Sequence, residues 1–344
     1  MPACVTMRAG GRLARCLQCC GTPQALVSQS RCMALISELS YPTKWYGKVV
    51  TATLTVLVFA LLGAVTIAAF LVYHIVFPAR SRSDIDTKDF PGRPDIVSFT
   101  VPDVGSREGW FFPGLRGAPT IILCHGYQSQ RGELLTLLTA LQDHQYNVFA
   151  FDFAAHGSSS GYSTLGYRET DELRAAIAAL ARRDDVDRTR FGLWGTDIGA
   201  YAAIAAAEAD PRVRALVADS VYDQPAEMAR LQVERSGLGN LPLTQRLARV
   251  GFLWLNRPYR HEPPLSQRLS RLEGVAKLYI SASDDPELAR STGELFLHSP
   301  PPREQVILAK GNYSGMMDDE KRSYENRIVS FFLVDLPPSR PLRR

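Results

Sequence analysis

The sequence predicts an α/β fold: a mostly parallel sheet with helices on both faces, preceded by one membrane-crossing helix. Three observations lead there. An uncharged run extends from Val49 to Tyr73. Short strand-like and helical stretches alternate after residue 94. A tight Gly-x-x-x-Gly turn, Gly195 to Gly199, stands between a strand and a helix.

The apolar run continues through His74 to Phe77, and the span is placed at residues 46–77. It exceeds the ~20 residues that cross a hydrocarbon core as a helix. Trp45 and Tyr46 lie at one end and Tyr73 at the other, where amphipathic rings favour the interface. The run is too long, and too far into the chain, for a cleaved signal peptide. Residues 1–45 form a basic, Cys-containing segment expected to be disordered. Two other readings apply there: an organelle transit peptide, or an over-extended start with Met33 as the initiator. Residues 1–48 hold six basic side chains against Glu38 alone, which favours a cytoplasmic N-terminus and a domain on the outer side.

The rest of the chain carries 33 basic and 34 acidic residues. Without a basic stripe there is no case for nucleic acid. Five cysteines precede the span, and Cys124 alone falls in the domain, so no internal disulfide is expected. Cys16, Cys19 and Cys20 lack the partners of a zinc site, and no metal is expected. With no phosphate loop or dinucleotide fingerprint, no cofactor is expected either.

A linker at 78–94 contains Pro91-Gly92, and the domain occupies 95–334. Ile96–Val101 and Gly109–Phe112 read as an antiparallel pair. Thr120–Cys124, Asn147–Phe151, Phe191–Trp194, Val213–Ala218, Lys277–Ser281 and Gln305–Leu308 read as further strands. Helices are predicted at Glu133–Gln142, Glu169–Arg182, Gly199–Ala209 and Arg322–Leu333. Residues 225–272 break the rhythm and read as a cap or lid over the sheet's C-terminal edge. A Pro/Arg-rich tail closes the chain at 335–344.

Three segments, in order, carry a resemblance: His125-Gly126-Tyr127; Asp152-Phe153-Ala154-Ala155-His156-Gly157-Ser158; and Gly195-Thr196-Asp197-Ile198-Gly199. They resemble the oxyanion loop, the D-x-R-G-H-G-x-S stretch and the nucleophile elbow of the α/β-hydrolase superfamily, in its membrane-anchored serine-aminopeptidase-like and acyl-hydrolase-like branch. Ala154 stands where the family usually has Arg. The resemblance implies that Gly195 and Gly199 permit the tight elbow, and that the N–H groups of Tyr127 and Ile198 are the oxyanion donors.

The reacting groups depart from the family's Ser–acid–His order. Asp197 holds the nucleophile position, Asp285 is the most plausible acid, and Tyr313 stands where the family has His. No histidine follows His298. A tyrosine with pKa near 10 is a poor general base at neutral pH. His156 is the candidate for a rescue base, while His125 reads as structural. Two functional readings follow. One is a non-catalytic module binding a small apolar ligand or a protein at the membrane. The other is an active hydrolase of ester, acyl or small-molecule substrates, with Asp197 as nucleophile or a rearranged base.

Overall fold

The computed structural model describes residues 44–80, 93–238, 242–311 and 313–338. The N-terminal segment and much of the linker and tail anticipated above fall outside the described residues. The chain divides into two compact units at Ala64/Val65.

Helix α1, Trp45–Val76, has 32 residues and begins in the first unit. By length and composition it is sufficient to cross a membrane, and only 6% of its most apolar 18-residue window is buried. A core helix of a water-soluble domain would be covered.

The second unit starts within α1 and contains the sheet. Its strands are β1 (Asp95–Val101), β2 (Gly105–Phe112), β3 (Thr120–Cys124), β4 (Asn147–Phe151), β5 (Phe191–Thr196), β6 (Val213–Asp219), β7 (Ala276–Ala282) and β8 (Arg303–Leu308). They lie in the order β1-β2-β4-β3-β5-β6-β7-β8. β1 and β2 form an antiparallel pair, β2 meets β4 antiparallel, and every other pairing is parallel. β3, β4 and β7 are buried at every position, as continuous apolar strands covered on both faces must be.

Helices α2 (Leu135–Asp143), α3 (Tyr167–Leu180) and α4 (Ile198–Ala207) follow β3, β4 and β5. α4 is buried along its whole length, and its six alanines let it lie close to the sheet. It shares a core with α3 on one face; on the other, α2 packs with the last helix, α8 (Asp318–Asp335). The 225–272 excursion contains α5 (Pro225–Val233), a π turn at Glu234–Leu238, α6 (Pro242–Leu255) and three short 3-10 turns. Gly251 of α6 sits against the end of α1: a Cβ there would stand 2.7 Å from the Val72 side chain.

The sequence reading contained no helix between the last two strands, but α7 spans Pro286–His298. Its start has the ordinary signals, a proline in the first turn and an Asp285 side chain that accepts from the Leu288 N–H. α8 begins at Asp318, four residues ahead of the expected Arg322, because three acids in its first turn favour a helix N-terminus.

Candidate active site

Asp197 occupies the turn between β5 and α4 with φ 51° and ψ −113°, a left-handed backbone that a non-glycine residue adopts under constraint. Its flanking glycines are fixed by contact. A Cβ on Gly195 would stand 2.3 Å from the Gly199 backbone, and one on Gly199 would stand 2.2 Å from the Cys124 carbonyl oxygen. The sharp turn lifts the Asp197 side chain into a cavity of ≈ 790 Å³ and places Ile198 first in α4.

Seven segments build the cavity. The oxyanion loop gives Gly126 and Tyr127, the elbow Thr196 and Asp197, and the loop after β6 gives Ser220. The loop after β7 adds Asp284 and Asp285, and the last loop adds Gly311, Tyr313 and Ser314. The lid contributes Val233 and Arg235, and the end of α1 contributes Phe70, Leu71, His74 and Ile75. One end is therefore apolar; the other holds three carboxylates and one guanidinium.

At the polar end the Tyr127 backbone N–H faces the Asp197 carboxylate and favours its ionised form. A Cβ on Gly126 would stand 2.9 Å from Asp197 Oδ2, which is why that position is glycine. Burial, against the pull of Arg235 and with the help of Asp219 and Asp285, pushes the Asp197 carboxyl up to about 7. Near neutrality it is therefore divided between acid and carboxylate. Asp219, at the end of β6, is pushed up to about 6 by burial. Its backbone carbonyl accepts the Asp197 N–H at 3.1 Å, and its carboxylate accepts from Ser220 at 2.8 Å and Tyr324 at 2.5 Å.

Asp285 and Tyr313 line the same cavity as Asp197, but their polar atoms are engaged by other partners. The Tyr313 hydroxyl lies between α2 and α8, donating to Glu325 at 2.6 Å and accepting from the Leu137 N–H at 3.2 Å. Thr136 Oγ1 is 2.9 Å from the same oxygen. Burial raises the phenol well above its ordinary range, so it is no base. Asp285 caps α7 and pairs with Arg235. Its neighbour Asp284 makes the contact to the terminal loop, accepting the Gly311 N–H at 2.8 Å. His156 is buried and absent from the cavity wall. Its Nδ1 bonds the Ala154 carbonyl at 2.8 Å, its ring lies 5.1 Å from that of His125, and burial together with His125 lowers it to about 3. His125 is structural: its Nε2 accepts the Phe153 N–H at 3.0 Å.

Where the resemblance led to an arginine at Ala154, Arg107 of β2 reaches the same loop, bonding the Ser160 carbonyl and buried Glu172. Glu172 in turn accepts the Ala154 N–H at 3.0 Å. His74, Arg235, Asp219 and Asp284 were not predicted as site residues. His74 was hidden in an apolar run and Arg235 in the lid; Asp219 closes a strand, and Asp284 adjoins the residue chosen instead.

Among the described residues, no group of three or more His, Cys, Asp or Glu side chains is arranged to hold a metal ion. A model of the alpha/beta hydrolase family matches residues 121–332. The uncharacterised protein YfhR of Escherichia coli O157:H7 is 31% identical over 258 residues, covering 72% of this chain and 84% of that one. The uncharacterised protein YqkD of Bacillus subtilis is 24% identical over 301 residues, covering 79% and 94%. Among solved structures, an esterase of Pyrococcus furiosus superposes with a TM-score of 0.61 at 22% identity, covering 76% of this chain and 98% of that one. Carboxyl esterase 2 of Tuber melanosporum gives 0.56 at 16%, covering 76% and 94%. At these identities the structural likeness concerns the fold.

Proposed function

Because the chain belongs to the α/β-hydrolase family, we propose that it is a membrane-anchored member whose site binds an amphiphilic small molecule without turning it over. The observation that carries this reading is the Tyr127 N–H turned to the Asp197 carboxylate, whose ionised form it favours. In an acyl hydrolase that donor serves the oxyanion of the substrate. Here it serves the residue in the nucleophile's place, which is itself partly protonated near neutral pH. The base is missing too, since the Tyr313 hydroxyl is committed to Glu325. Loss of triad members costs several orders of magnitude in rate.

The cavity's two ends describe the ligand. Phe70, Leu71, Ile75 and Val233 suit an acyl chain, while Asp197, Asp284 and Asp285 outnumber Arg235 and favour a head that donates hydrogen bonds. Monoacylglycerols and long-chain amines fit this better than fatty acids. The helix α1 holds the site at the bilayer, and the basic N-terminal segment favours a cytoplasmic N-terminus with the domain outside.

A second reading has one observation in its favour. His74 lines the same cavity as Asp197, so an Asp-nucleophile hydrolase would have an imidazole within its walls. One experiment separates the two. The purified full chain in detergent is assayed on p-nitrophenyl esters, epoxides and haloalkanes, and titrated with fluorescent monoacylglycerol and amine probes. The binding reading expects saturable binding and turnover no faster than buffer. Robust turnover abolished by Asp197→Asn and by His74→Ala overturns it in favour of the second.

A further inference from the structure

Helix α6 turns an apolar stripe outward. Leu243, Val250 and Trp254 are 64%, 66% and 65% exposed, and partly covered Leu247 completes the i, i+4, i+7, i+11 series on one face. The opposite face buries Ala248 and Phe252 in the core, so the helix is docked rather than loose. A row of this kind, set in water on a packed helix, marks an interaction surface.

The position of the stripe identifies what covers it. Gly251 brings α6 against α1, with Val72 Cγ2 at 2.7 Å and the Ala68 carbonyl at 3.7 Å from where its Cβ would be. That contact lies within a turn and a half of Tyr73, the aromatic end of the apolar run. Arg246 and Arg249 are exposed beside the stripe, and Arg257 stacks over the Trp254 ring at 4.8 Å. Apolar residues with tryptophan on one face and arginines at its margin, lying beside a membrane-spanning segment, have the composition of an in-plane interfacial helix. Trp and Arg side chains there reach the headgroup level while aliphatic ones enter the acyl boundary.

We propose that the outward face of α6 lies in the lipid–water interface, making the lid a second membrane contact. The proposal rests on the membrane placement of α1 and is independent of whether the bound molecule is turned over. α6 follows α5 and the turn that supplies Val233 and Arg235 to the cavity wall. A lid held in lipid therefore sets one wall of the cavity at the bilayer surface, where an amphiphile enters without crossing water.

The test uses the full chain in lipid nanodiscs with an environment-sensitive NBD label. The five cysteines ahead of α1 are replaced by serine, and Cys124 is buried and unreactive. Labels are placed at Val250→Cys in α6, at Leu57→Cys in α1 and at exposed Ile307→Cys in β8. The expected result is blue-shifted emission at 250, quenched several-fold by lipids bearing a shallow nitroxide, with the label at 57 also quenched and the label at 307 unaffected. A label at 250 that behaves like the one at 307, while 57 is quenched, overturns the proposal and leaves the anchor intact. Blue-shifted emission at 250 without lipid quenching means a protein covers α6, and overturns it as well. Loss of quenching at both 57 and 250 overturns the anchor and the proposal together.

Discussion

The Tyr313 hydroxyl donates a hydrogen bond to Glu325, 2.6 Å away and largely buried. Tyr313 is therefore a structural link between the last loop and α8. Removing the hydroxyl with Tyr313→Phe leaves Glu325 and the Leu137 N–H without that partner. The expected loss is about 1–3 kcal/mol, read as a lower thermal midpoint of the detergent-solubilised full chain. An unchanged midpoint would contradict the structural role.

The same geometry governs an attempt to restore a triad. Asp197→Ser frees the Tyr127 N–H, but Tyr313→His in that background adds less than about tenfold to ester turnover, well short of ordinary general-base catalysis. The side chain at 313 is aimed between α2 and α8. A larger gain, itself lost on Asp284→Asn, would show that the terminal loop can swing into the cavity.

Stability depends on pH through Asp197, and the sign follows from its raised carboxyl. The folded chain holds a proton that the unfolded chain has already released, so the stabilisation is complete below the ordinary aspartate range. It is lost as pH rises from about 3.8 to about 7. At pH 8 the loss amounts to no more than about 5 kcal/mol, because each tenfold change in proton affinity is worth ~1.4 kcal/mol. Asp197→Asn is expected to raise the midpoint at pH 8 and to flatten its decline between pH 5 and 8. Part of the decline remains, because Asp219, raised to about 6, acts in the same direction. A variant with the wild-type pH profile would argue that Asp197 stays ionised.

The elbow tolerates no side chain at its second glycine. Gly199→Ala sets a methyl 2.2 Å from the Cys124 carbonyl oxygen, where both groups are backbone-fixed in the middle of the core. A loss of at least about 3 kcal/mol is expected, seen as aggregation on expression or a collapsed melting transition. Gly63→Ala, with open space around it, is the matched control and leaves the midpoint unchanged.

What could be read in advance follows from what pattern encodes. β3 and β4 were anticipated to the residue because buried parallel strands are unbroken apolar runs between turns. The elbow was legible because its glycines answer a steric demand that leaves few alternatives. Side-chain direction was not legible. Asp284 and Asp285 are adjacent and chemically identical, yet one bonds the terminal loop while the other caps α7 and pairs with Arg235. His74 escaped notice for a related reason: inside an apolar run nothing marks the turn at which a helix stops facing lipid and starts facing a cavity.

Tyr127 donates its phenol proton to the Ile75 carbonyl at 2.9 Å, and the Val76 carbonyl accepts the Ser163 N–H at 2.8 Å. The last turns of α1 are thus stitched to the cavity face of the domain by hydrogen bonds as well as by apolar contact. This bears on how a water-soluble version should be cut. A fragment starting at the first strand, near residue 93, would lose Phe70, Leu71, His74 and Ile75, and assays on it would describe a cavity with one side missing. A fragment starting at Val65, where the second unit begins, retains that side and is the form on which ligand screening is meaningful.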